Sequence, residues 1–349
     1  MLSAPPRVSV GIPVYRGEKH ILEAIASVRA DEFTDWEILV FIDGSPDSSA
    51  QLVSQVEDPR IRVISSTANV GLVTARNRIL HEARGEFLAW LDQDDLNYSH
   101  RLAKQVEFLD AHPNVAMVAS WTDLKVESHD GSTRTFTHVR PSTHAEIRAT
   151  MLFTNPIACN TVMMRLKSFR DLGLTFREEF GNSLDYDLWS RASDSLIFHA
   201  LKQPLSAYRV HSEQTSQGAE LQRMNAQALQ VQTEFVHRNL DILMSPDERE
   251  LHESLTQIPM PAGAGDVLEP AKEWFKRLRK ANNVTHQVDS HALDLVIAAQ
   301  WFRIVTSCAD LSRWDQVRQS LTGAHDIGPS WRHIVSALRS ALVRRWVRR

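Results

Sequence analysis

The chain has 349 residues, 43% hydrophobic and 23% charged, with a formal net charge of −4. Those figures exclude a disordered chain and a membrane bundle, and the acidic balance argues against a nucleic-acid binder. Only two cysteines occur, Cys159 and Cys308, without metal-ligand spacing. This excludes a disulfide framework and fits a reducing compartment.

The amino terminus lacks the basic segment, apolar core and cleavage site of a signal peptide. From residue 8 the pattern alternates. An apolar strand is predicted at 8–15, then a helix at 18–30 with Ile21, Leu22, Ile25 and Val28 on one face. Strands follow at 36–43 and 61–65, and a helix at 72–84 with Gly85 as its expected C-cap. Next come a strand at 86–92, a helix at 100–112 carrying Leu102, Val106 and Leu109, and a strand at 115–121. Strands separated by helices of this length imply right-handed crossovers. The predicted fold class is therefore α/β, a mostly parallel sheet flanked by helices.

Past residue 121 the alternation loosens into a polar stretch at 122–146, followed by FTNPIACNTVMMR at 153–165. Beyond 217 the pattern is mostly helical, with a Pro/Gly-rich linker expected at 258–270. The expected division is a catalytic domain at 1–216 and a helical region at 217–349. No run reaches the roughly 18 apolar residues of a spanning helix, so a cytoplasmic protein is expected. Two basic segments could touch an anionic membrane surface. In 271–281, five basic residues flank Trp274, Phe275 and Leu278. The last nineteen residues hold six arginines and no acid, with Trp331, Ile334, Val335, Leu338, Leu342 and Trp346 on one helical stripe. That is the pattern of an interfacial helix, and peripheral attachment to the inner face of the cell membrane is expected from it.

The chemistry concentrates at strand ends. The run FLAWLDQDD, residues 87–95, stays apolar and then breaks into Asp92, Asp94 and Asp95. A strand apolar to its last residue is buried on both faces, and open α/β sheets bind ligands at such carboxyl ends. Crowded carboxylates repel unless a cation compensates them, and hard oxygen ligands at this spacing suit Mg²⁺ or Mn²⁺. The first strand ends in Pro13-Val14-Tyr15 without the G-x-G-x-x-G fingerprint of a dinucleotide enzyme. The second ends in Asp43-Gly44-Ser45, where a carboxylate can accept bonds from a base or ribose. The third turn, Asn69 to Asn77, opens a helix whose early turns carry Arg76 and favour an anion.

These four loops in this order resemble family 2 glycosyltransferases, inverting enzymes of the GT-A fold. The resemblance continues through Asn155-Pro156-Ile157, Thr161 to Arg165, Leu184 to Trp189 and Tyr208 to Ser216, covering about residues 8–216. It implies transfer of a sugar from a nucleotide-diphosphate sugar to an acceptor hydroxyl with inversion, assisted by Mg²⁺ or Mn²⁺. The acceptor would be a glycan or lipid-linked glycan of surface polysaccharide synthesis. It also implies Asp185 as catalytic base, with Pro13, Tyr15, Asp43, Asn69, Gly71, Arg76, Asp92 and Gln93 around the nucleotide sugar. Asp94 would hold the metal, joined by His211, with Asp95 in support. The acid that often precedes the base is here Leu184, and the usual paired acid of the second strand is reduced to Ile42-Asp43. Two other readings exist. A D-x-D phosphotransferase would use the first Asp as nucleophile but usually carries the motif on its first strand. A catalytically inactive, glycosyltransferase-like membrane scaffold would lack an essential carboxylate, yet Asp94 and Asp185 are both present.

Overall fold

Strands that stay apolar on both faces must be covered on both faces, and that requirement sets the architecture. The computed structural model describes residues 5–127, 132–210, 218–256 and 267–308. Its contacts divide into two units, residues 1–142 with 157–224, and residues 143–156 with 225–349.

The chain opens with β1 (Val8–Val14), α1 (Ile21–Arg29), β2 (Trp36–Asp43), α2 (Ser49–Ser54) and β3 (Ile61–Ser66). It continues with α3 (Leu72–Glu82), β4 (Phe87–Trp90), β5 (Leu96–Asn97) and α4 (Arg101–Ala111). Then follow β6 (Val115–Glu127), β7 (Thr133–His138), α5 (His144–Thr150), β8 (Met163–Arg165) and α6 (Leu166–Asp171). α7 (Leu184–Ala192) and β9 (Ile197–Val210) precede the helices α8 (Gly218–Leu240), α9 (Pro246–Thr256), α10 (Leu268–Thr285) and α11 (Ser290–Cys308).

Among the described residues the first unit is built on a nine-stranded sheet ordered β3-β2-β1-β4-β8-β6-β9-β5, with β7 paired to β6. Strands β3, β2, β1 and β4 are parallel, as the apolar runs predict. β8 is antiparallel to both β4 and β6, so the sheet is mixed from there on. Every residue of β1, β2 and β4 is buried, whereas the edge strand β3 alternates. α1 contributes Ile21, Ala24, Ile25 and Val28 to the core, one face at helical spacing. The strand order reverses between β1 and β4, which leaves a crevice at their carboxyl ends.

Two polar residues interrupt the apolar strands, and both are satisfied. Ser9 donates to buried Glu37 at 2.6 Å and accepts from the backbone N–H groups of Arg84 and Gly85. Glu37 also pairs with Arg62 at 2.8 Å. α3 therefore ends at Glu82, and Gly85 tethers the chain to β1 instead of capping the helix.

The second unit is helical. Thr143 and Glu146 form a reciprocal capping box at α5, and Ser245 and Glu248 do the same at α9, where Pro246 takes the first helical position. The basic segment 271–281 falls on α10, but Trp274, Phe275 and Leu278 are buried in this unit's own core. Arg277 pairs with Glu248, and Arg279 pairs with Asp294. The membrane reading of that segment is thereby corrected: its apolar face already has a partner. No helix among the described residues is long and apolar enough to cross a membrane. The terminal stripe at 331–349 and most of the linker at 258–270 lie outside the described residues.

His252 is fully buried in this core and uses both ring nitrogens, bonding the Leu152 carbonyl at 2.9 Å and the Trp274 indole N–H at 3.1 Å. The indole can only donate, so Nδ1 accepts and Nε2 carries the proton. Burial pushes its pKa down to about 4 from 6.5. A depressed histidine favours folding fully above pH 6.5, and that contribution is lost as pH falls from 6.5 towards 4. The protein should therefore lose about 2 kcal/mol between pH 7 and pH 5 through this residue. Urea unfolding at the two pH values checks it: His252→Gln should shrink the difference by that amount, and an unchanged difference would contradict it.

Candidate functional site

The site grows from the carboxyl ends of β1, β2 and β4. The loop after β1 is stitched to the loop after β2. Arg16 N donates to Ser45 at 2.7 Å, Gly17 N to Ser49 at 2.9 Å and Glu18 N to Asp47 at 3.1 Å. Asp47 also accepts from the hydroxyls of Ser45 and Ser49, each at 2.6 Å. Burial would raise its pKa, but those hydroxyls and the backbone N–H groups of Glu18 and Ser49 hold it at about 2. Asp47 is thus the hub of two loops. Pro13 is buried within β1, and Tyr15 stands 39% exposed at the mouth.

Asp43, buried at the end of β2, accepts from the backbone N–H groups of Val70 at 2.7 Å and Gly71 at 3.0 Å. A carboxylate has about four acceptor positions, so two such bonds leave capacity for a ligand. Gly44 turns the chain beneath it with φ +56°, and a Cβ there would sit 2.3 Å from the Ala68 carbonyl carbon. Gly71 caps the start of α3, and Asn69 lies exposed just before it.

Arg76, one turn into α3, is buried and pairs with Asp92 at 2.7 Å. Its guanidinium also bonds the thiol of buried Cys159 and lies near the rings of Trp90 and Phe176. Asp95 is fully buried and accepts from Asn160 Nδ2 at 2.6 Å and Arg209 N at 3.1 Å. Burial pushes its pKa well above the carboxylate range, and Asp92 and Asp94 add to the rise. Burial likewise raises Asp92; Arg76 opposes the shift, while Asp94 and Asp185 reinforce it. Beneath the cluster lies Arg101, fully buried, bonded to the carbonyls of Trp90 and Val162 and to Gln105. Burial lowers its pKa to about 10 against the pull of Asp31, Asp95 and Asp92, so it stays cationic at neutral pH.

Asp185 sits in the first turn of α7, half-buried, and accepts from Tyr186 N at 2.8 Å. It acts electrostatically on both Arg76 and Asp92, so it lies close to the acidic tip of β4. Two features anchor its helix. Buried Asp187 is gripped by Arg177 and Arg191, and Leu188 and Trp189 fill the core. Asn77 of α3 exchanges two hydrogen bonds, both 2.9 Å, with the main chain of Phe176 ahead of α7.

Pro13, Tyr15, Asp43, Gly71, Arg76, Asp92, Gln93, Asp94 and Asp185 therefore gather at one end of one sheet, while His211 lies outside the described residues. Gln93, expected around the nucleotide sugar, has its amide bonded to the Tyr15 main chain. Cys159 and Asn160 belong to no motif in the sequence, yet they fall between the two halves of the 155–165 motif and touch Arg76 and Asp95. Their only signal was position in an apolar segment. Among the described residues no three His, Cys, Asp or Glu side chains form a ready metal cage. Mg²⁺ and Mn²⁺ sites completed by substrate phosphates need only one or two protein carboxylates. Half-buried Asp94, next to two carboxylates of raised pKa, fits that type of site.

Comparison with known proteins agrees with this geometry. The family model described as glycosyl transferase family 2 matches residues 9–173. An uncharacterized glycosyltransferase of Haemophilus influenzae is 30% identical over 218 residues, 60% of this chain and 68% of that protein. Among solved structures, S. aureus TarS 1–349 in complex with UDP-GlcNAc is similar at TM-score 0.56 and 17% identity, with 91% of each chain covered. The mannosyltransferase PcManGT of Pyrobaculum calidifontis, in complex with GDP-Man and Mn²⁺, is similar at TM-score 0.51 and 16% identity. That match covers 96% of this chain and 88% of the other. Sheet order, convergent strand-end loops and these likenesses agree: the chain belongs to glycosyl transferase family 2 and has the GT-A fold.

Proposed function

We propose that this glycosyltransferase moves a hexosyl group from a nucleotide-diphosphate sugar to an acceptor hydroxyl by a single inverting displacement. One observation supports the reading: Asp185 lies close enough to the Arg76–Asp92 pair to act electrostatically on both members. In it, the base rests at Tyr15 and Asp43, and the diphosphate reaches the tip carrying Asp92 and Asp94. Asp94 would hold a Mg²⁺ or Mn²⁺ ion together with diphosphate oxygens, and such an ion would offset charge on the leaving group.

Asp185 then takes the proton of the acceptor hydroxyl as its oxygen attacks the anomeric carbon. The bond to the diphosphate breaks, and the nucleoside diphosphate leaves with the electron pair. The anomeric carbon develops oxocarbenium character, as in glycoside hydrolysis, and one displacement inverts it. A helix N-terminus favours the ionised carboxylate, and the Asp187 grip keeps the helix still. The phosphotransferase reading needs Asp92 as an attacking nucleophile, but Asp92 is held by Arg76.

The acceptor is proposed to be a growing glycan or lipid-linked glycan at the cytoplasmic membrane face, as in surface polysaccharide synthesis. The basic, Trp-flanked stretch at 331–349 supports this through the chemistry of its sequence.

Two outcomes are expected. Asp185→Asn should lower kcat about a thousandfold and leave the donor Kd within about twofold, because it removes proton transfer and not donor contacts. Steady-state kinetics with calorimetric donor binding check this, and equal loss of both would show a structural residue. Deleting residues 331–349 should release the protein from vesicles rich in phosphatidylglycerol in a sedimentation assay, and unchanged binding would remove the membrane role.

A further inference from the structure

Main-chain pairing between β1 and β4 ends early. The parallel register stops at Gly11 and Trp90, with one further bond from Leu91 N to Gly11 O at 3.1 Å. Beyond it the crevice opens, because strand order reverses there. Tyr15 lies four residues past Gly11, across that opening from the acidic tip. One side chain spans the gap. Gln93 Oε1 accepts from Tyr15 N at 2.9 Å, and Gln93 Nε2 donates to Tyr15 O at 3.0 Å. The amide thus acts as one more rung of the sheet, where no backbone reaches.

The chemistry of that rung is restrictive. It needs one donor and one acceptor in a plane, on a side chain of this length. Glutamate lacks the donor and would set a negative charge against the Tyr15 carbonyl, and asparagine is a methylene shorter. The seat is restrictive as well. A Cβ on Gly17 would lie 2.6 Å from Gln93 Oε1, 3.0 Å from Val14 Cγ1 and 3.1 Å from Gln93 Cδ, so the amide is the group it would meet first. The flanking Asp92 is fixed separately by Arg76, so residues 92 and 93 are pinned in two directions beside Asp94.

We propose that Gln93, seated over Gly17, is a positioning residue that fixes the span between the base platform at Tyr15 and the acidic tip at Asp94. This rests on the donor reading given above. A ligand that reaches both ends, a nucleoside diphosphate, senses the span. A ligand that reaches only one end, a nucleoside, does not. The advantage of joining two contacts in one ligand depends on the distance between them being set beforehand.

Calorimetry or NMR titration of the full chain with Mn²⁺ and UDP against uridine, and GDP against guanosine, tests this. Gln93→Ala should weaken the diphosphate that binds wild type about tenfold and leave the matching nucleoside within about twofold. The donor KM should rise with kcat within about threefold. Gly17→Ala should act through the same amide, raising KM several-fold in wild type and by less than about twofold in a Gln93→Ala background. Equal weakening of nucleoside and diphosphate, or additive effects of the two substitutions, would overturn the proposal. If Gln93→Ala does not fold, Gly17→Ala alone carries the nucleoside comparison. If wild type binds neither diphosphate, the donor reading itself fails. If wild type binds and both variants match it, only the clamp fails.

Discussion

The ion pair between Arg76 and Asp92 is the interaction on which the site depends. It joins the acidic tip of β4 to α3, and it lies where α7 brings Asp185. A guanidinium with a 5% exposed side chain is costly to bury, and it persists because a carboxylate, a thiol and two aromatic rings surround it. Removing the carboxylate would leave that cation buried without its partner, a loss of about 3 kcal/mol or more. The pair therefore both organises the crevice and fixes where its negative charge resides.

Charge at the tip is only partly balanced. Arg76 pairs directly with Asp92 alone, Asp94 and Asp95 lie beside it in the same loop, and Arg101 below, bonded to carbonyls and an amide, acts on the acids only through its field. Burial is the main cause of the raised pKa of Asp92 and Asp95, and repulsion among the neighbouring carboxylates adds to it. Crowded carboxylates with incomplete compensation make a surface ready for a cation. In the proposed reaction the donor supplies the remaining oxygens. The same loops limit motion: Asp47 binds the β1 and β2 loops, Asp43 binds the β2 and α3 loops, and Asn77 binds α3 to the segment before α7.

Much of this was legible in the chain because it is encoded locally. Largely apolar runs at 8–14, 36–43 and 87–90 require strands covered on both faces, and Asp43 and Asp92 at the ends of the latter two mark the ligand side. What stayed hidden depends on tertiary contact. Cys159 and Asn160 look like core residues until β8 is inserted beside β4 and brings the turn before it under the acidic tip. The apolar face of α10 looks like a membrane surface until His252 and the other helices of its unit cover it. The two bonds from the Gln93 amide to Tyr15 likewise depend on the fold bringing the two loops together.

The measurement closest to the central claim is the metal dependence of nucleotide binding. Calorimetric titration with UDP and GDP, in Mn²⁺ and then in EDTA, should show about tenfold or more tighter binding with the metal in wild type. In Asp94→Asn that gain should vanish while the affinity in EDTA stays near the wild-type value. An undiminished Mn²⁺ effect in Asp94→Asn would contradict the account.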